Sequence, residues 1–225
     1  MVDVAHIIPS SPDDPPPPPP WWRRALPWLA GLTVAAVVGG GLWVWKPWQS
    51  VELPQSACWG VLDHEAIRPF VGNDGKAVAH VQGDLSAANP LAECSVSWSP
   101  RGGLAAIDAT VMRTDGSLYQ HDQARMADDI AQGRATEVAV GDHAKAWVDS
   151  VNASLIFPCP VPDSGRRTNV SIMVTGDPRV PARPARELVQ NRADFILKLA
   201  KEVVQREGCP DIHLVDHVTV APVKS

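Results

Sequence analysis

RRALPWLAGLTVAAVVGGGLWVWK, Arg23 to Lys46, divides this chain into two unequal parts. Between Ala25 and Trp45 it carries no charge, and its 21 residues make about 31 Å of helix, enough to cross a hydrocarbon core. Six of the nine tryptophans, Trp21, Trp22, Trp28, Trp43, Trp45 and Trp48, lie in or beside its ends. An amphipathic indole prefers the headgroup level, so they read as membrane-interface residues in two belts. Pro27 falls in the first helical turn, where a missing N–H costs little.

A cleaved signal peptide would need small residues just beyond the apolar region, and Trp43-Val44-Trp45-Lys46-Pro47-Trp48 is bulky there. A lipid anchor on Cys58 would need an aliphatic residue three positions before it, where Gln55 stands. The segment therefore reads as an uncleaved anchor through which the chain meets the bilayer. Arg23 and Arg24 precede it and Lys46 alone follows, which places the N-terminus in the cytoplasm. All four cysteines follow the span, as expected of an oxidising, extracytoplasmic compartment.

The sequence thus predicts residues 1–24 as a disordered proline-rich cytoplasmic tail, 25–45 as a transmembrane helix, 46–57 as a juxtamembrane linker and 58–225 as an extracytoplasmic domain. In the tail, Pro15 to Pro20 form a polyproline II rod that serves as a spacer or docks in an aromatic groove. In the span, Gly31, Ala35 and Gly39 recur every four residues and would let two helices approach, a weak homodimer contact.

From Gln49 to Ser225 there are 17 basic and 22 acidic residues, a spread-out net charge of −5. No basic patch exists to hold nucleic acid. Asp63 reads as the cap of a short helix over Leu62–Phe70, and alternation marks strands at Ala77–Gln82, Cys94–Trp98 and Leu104–Met112. A helix is expected over Asp122–Gln132, then a hairpin of Lys145–Val148 and Ala153–Phe157 turning at Asp149-Ser150, and a strand through Asn169–Thr175. The clearest helix is Ala185–Glu207, with Leu188, Phe195, Leu199 and Val203 on one stripe and Gly208 as its stop. A last strand is expected over Ile212–Val220. Without regular βαβ alternation the fold is α+β, with helices packed on a mainly antiparallel sheet.

Four cysteines permit three connectivities. Sequential pairing, Cys58 with Cys94 and Cys159 with Cys209, closes moderate loops and ties one helix to one strand in each of two halves. Catalytic signals are sparse. His213 and His217 share a strand face but lie about 13 Å apart, too far for one metal ion. Asp63-His64-Glu65 diverge on a helix, and Asp128-Asp129 read as a solvated face. Trp59 and Trp98 read as core beside a disulfide, and Trp147 as core or a ligand platform. Asn152 and Asn169 head sequons inside strands. No nucleophile elbow or phosphate-binding loop is present, and no catalytic residue, cofactor or metal ligand is assigned. A dispersed Ser/His/Asp triad stays open, since triads are recognised by geometry.

Cys58-Trp59-Gly60, Cys94-Ser-Val-Ser-Trp98, Trp147-Val148 before Cys159-Pro160, and Glu207-Gly208-Cys209 carry a resemblance. In these motifs the chain resembles uncharacterised single-pass membrane proteins of Streptomyces and related actinobacteria. The resemblance implies an anchored, disulfide-containing α+β ectodomain and no activity. The first expectation is an envelope protein whose ectodomain binds a protein or small ligand. The alternatives are an extracytoplasmic hydrolase and a signalling accessory acting through the proline-rich tail.

Overall fold

Three runs in which every second residue is apolar build the middle of the molecule, because a strand exposes alternate side chains to opposite faces. The computed structural model describes residues 33–34, 36–40, 51–72, 75–99, 104–160, 167–176, 185–209 and 211–221. Residues 33–34 and 36–40 are helical and exposed. The remainder of the expected span, the proline run and the six interface tryptophans lie outside the described residues, as do Gly31 and Ala35. Among the described residues no helix is long and apolar enough to cross a membrane.

Gln49–Ser225 forms a unit of its own. Its strands are β1 (Val51–Glu52), β2 (Ser56–Ala57), β3 (Leu62–Asp63), β4 (Gly75–Gln82), β5 (Leu91–Ser99), β6 (Leu104–Thr114), β7 (Thr136–Val138), β8 (Gly141–Asp142), β9 (Lys145–Val148), β10 (Asn152–Pro160), β11 (Arg167–Gly176) and β12 (His213–Leu214). Its helices are α1 (His64–Ile67), α2 (Gly116–Ala131) and α3 (Ala185–Glu207), with 3-10 turns at Cys58–Gly60 and Arg68–Phe70. Eight strands form one sheet in the order β1-β4-β5-β6-β11-β10-β9-β7, antiparallel except for β1 beside β4. The fold is α+β with a mainly antiparallel sheet.

Two meanders, β4-β5-β6 and β9-β10-β11, meet where β6 pairs with β11, and each is followed by a helix. The two helices take opposite faces. Leu155, Phe157, Val170, Ile172, Val96 and Ile107 share a buried cluster with Phe195, Leu199 and Val203 of α3. Ile156, pointing the other way between Leu155 and Phe157, packs with Trp147 and with Met126 of α2. Burying each such aliphatic or aromatic side chain contributes about 1.5–3 kcal/mol. The halves are therefore joined in one sheet but dressed differently.

Disulfides join Cys58 to Cys94 and Cys159 to Cys209. Each fastens the middle strand of one meander to a segment outside it. Cys58-Trp59-Gly60 carries three successive positive φ values, 52°, 60° and 89°, a left-handed turn costly for the first two residues. It is held by the disulfide, by Trp59 Nε1 donating to the Gly83 carbonyl at 3.0 Å, and by Arg206 donating to the Trp59 carbonyl at 3.3 Å.

Three elements differ from the sequence expectation. The second helix starts at Gly116, six residues before Asp122, because the Asp115 carboxylate accepts from the Ser117 and Leu118 amides and caps it. The expected helix over Leu62–Phe70 is a short strand, one helical turn and a 3-10 turn, although Asp63 does cap α1 by accepting from the Ala66 amide. Of the expected strand Ile212–Val220 only His213–Leu214 pairs, with Gly141–Asp142. Beyond it Val218 and Val220 are buried, and Gln190 of α3 donates to the Val218 carbonyl and accepts from the Val220 amide. The tail follows the helix rather than a sheet.

Candidate binding face

On the side of the sheet away from α3, β4, β5 and β6 present the residues that alternate with the core positions. The register sets them in rows. His80 lies opposite Ser95, which lies opposite Asp108; the next row is Gln82, Glu93 and Thr110. These six side chains line a concavity of about 630 Å³. None of them has a hydrogen-bond or ion-pair partner among the described residues.

Apolar groups border this polar floor. Leu91 and Met112 lie opposite each other one row on, Met173 lies opposite Thr110, and all three are exposed, at 42, 38 and 42%. Val78 is exposed at the other end. Burial raises the Asp108 carboxyl above the usual aspartate range, and the nearby Glu93 carboxylate pushes the same way. The face therefore carries two neighbouring carboxylates that form no ion pair among the described residues, with the His80 imidazole in the same concavity.

A histidine, a serine and an aspartate in one row invite a hydrolytic reading, but their order opposes it. A triad needs the imidazole between the hydroxyl and the carboxylate. Here Ser95 is central, and His80 and Asp108 are two strands apart, about 9.6 Å at ordinary strand spacing. The row offers hydrogen-bonding groups and charge rather than an activated nucleophile.

The residues singled out in the sequence lie elsewhere. His213 and His217 are exposed. His64 and Glu65 are exposed beside the Asp63 cap, and Asp128 and Asp129 pair with Arg134. Trp98 and Trp147 are buried, so Trp147 is core and not a platform. The Asn152 amide is held by Asp149 and Thr175, and Asn169 is buried. Gly39 is open around its Cα.

A second polar cluster sits inside. Arg113 of β6 and Glu207 at the end of α3 form an ion pair whose side chains are 8 and 2% exposed. Glu207 Oε2 lies 3.5 Å from Cys159 Sγ, so Cys159, Cys209 and Glu207 converge. Because the two sulfurs are bonded to each other and the carboxylate to a guanidinium, this group is a staple.

His80, Gln82, Glu93, Ser95, Asp108 and Thr110 carry no motif that marks them as a group in the sequence. The available signal was polar residues two apart in three successive strands, and that pattern says only that a face meets solvent. No family model matches the chain, and no curated protein or solved structure does.

Proposed function

We propose that this is a single-pass envelope protein, with residues 1–24 in the cytoplasm and the domain 58–225 outside, which binds a partner on the open face of its sheet. The anchor is argued from the Trp-framed apolar segment and its flanking arginines. The two disulfides fit that compartment, and so does the resemblance to actinobacterial single-pass proteins. One observation carries the binding reading: a concave polar floor whose side chains lack partners among the described residues, bordered by exposed Leu91, Met112 and Met173. An exposed apolar border around unengaged polar groups is what an interaction site requires.

The test is co-purification of the full chain from its native membranes after mild crosslinking, as wild type and as Ser95→Arg/Thr110→Arg. Both positions are half-exposed, so the arginines fill the concavity without entering the core. The reading expects partners recovered with wild type and lost with the variant. Identical recovery from both removes it. Protease cleavage of the domain in intact cells tests the orientation, and full protection contradicts it.

A further inference from the structure

We infer that the open face takes a cationic, extended polypeptide segment that sets a lysine or arginine over Glu93 and Asp108 and an aliphatic side chain over Leu91, Met112 and Met173. The inference rests on the reading of this face as a binding surface and names its occupant.

Charge argues first. Glu93 and Asp108 lie on one face, one row apart on neighbouring strands, with no basic partner among the described residues. Crowding by Glu93 adds to burial in holding the Asp108 carboxyl up, and a basic group seated between them relieves that crowding. A second copy of this face would bring two more carboxylates against them, so self-association through it is opposed. Anionic headgroups and nucleic acid are repelled for the same reason.

Spacing argues second. Leu91 and Glu93 are two residues apart on β5, about 6.6 Å, and point to the same side. An extended segment repeats its own side chains at that interval. A partner with a basic residue at one position and an aliphatic one two further along therefore matches both groups at once. His80, Gln82, Ser95 and Thr110 remain to hydrogen-bond its main chain and polar side chains. Met112 and Met173 are adaptable surfaces for an aliphatic group.

The probe is a short synthetic Lys-Ser-Leu-Ser repeat, with Glu-Ser-Leu-Ser and Ser-Ser-Leu-Ser repeats as controls. Affinity is measured by fluorescence anisotropy against the full chain in phosphatidylcholine nanodiscs, with empty nanodiscs subtracted. The lysine peptide is expected to bind, and Glu93→Gln/Asp108→Asn to weaken it about tenfold or more. Asp142→Asn/Asp211→Asn, which removes the same charge from two exposed sites elsewhere, is expected to change nothing. Equal weakening by both pairs makes the attraction non-specific and overturns the inference. If the serine peptide binds as tightly as the lysine one and Leu91→Ser/Met112→Ser abolishes that binding, the face docks a partner but not a cationic one. If none of the three peptides binds, the inference fails, and the crosslinking comparison with Ser95→Arg/Thr110→Arg decides the underlying reading separately.

Discussion

Glu93 and Asp108 lie one row apart on β5 and β6, on the open side of the sheet, and neither meets a basic side chain among the described residues. Two neighbouring carboxylates without a cation cost stability when both are ionised. On the proposed reading, the partner supplies the missing charge.

Asp108 on this face and Asp115, the cap of α2, respond to acid in opposite directions. Asp108 is held above its ordinary range by burial and then by Glu93, so its contribution is present in acid and lost as pH rises through the folded value. Asp115 is held below its range by the Ser117 hydroxyl and by the Leu118 and Ser117 amides. Its contribution is present at neutral pH and lost as pH falls through the folded value. Asp108→Asn should therefore raise the denaturant midpoint at neutral pH, with the gain vanishing below about pH 3. Asp115→Asn should lower it at neutral pH and flatten the acid limb.

The buried ion pair gives a larger effect. Glu207→Ala leaves the Arg113 guanidinium buried and uncompensated, and its Nε and Nη1 already lack acceptors. A loss of about 3–5 kcal/mol is expected from chemical denaturation. Arg113→Met/Glu207→Leu should recover most of it, because replacing both charges removes the unpaired one. A double variant as unstable as the single one contradicts this account.

Gly72 is needed for space and not for backbone freedom. A Cβ there would overlap the six-membered ring of Trp98, which is 4% exposed. Gly72→Ala should cost about 1–3 kcal/mol by overpacking, read as a lower melting temperature. Gly72→Ala/Trp98→Phe should restore part of it.

The disulfides close separations of 36 and 50 residues. Replacing either pair by serines should cost about 4 kcal/mol in the chain-entropy model. Cys159→Ser/Cys209→Ser should cost more than Cys58→Ser/Cys94→Ser, because Glu207 packs on its sulfurs. Releasing Cys58 also lets the left-handed Cys58-Trp59 turn relax, which offsets part of the loss at the other pair. Urea midpoints of the two variants compare these terms.

What could be read from the chain follows from which forces are local. The α3 stripe of Leu188, Phe195, Leu199 and Val203 states a helix on its own, and Asp149-Ser150 states the β9–β10 hairpin. The start of α2 is hidden in the sequence because Gly116 and Ser117 are poor helix formers, and the Asp115 cap outweighs them. Ile212 to Val220 looked like a strand because Val, Ile and Thr favour extended backbone, but extended backbone does not require a ladder. Here the Gln190 side chain takes the place of one. The open face was illegible for a different reason. His80, Ser95 and Asp108 become neighbours only through the register of three strands, and that register depends on long-range pairing.

The most direct measurement is carboxyl footprinting of Glu93 in native membranes and in the purified full chain, with exposed Asp142 and Asp211 as references. Glu93 is expected to be protected in the membranes and labelled after purification, while the references are labelled equally in both. Equal labelling of Glu93 in the two preparations would contradict the claim that this face is occupied by a partner.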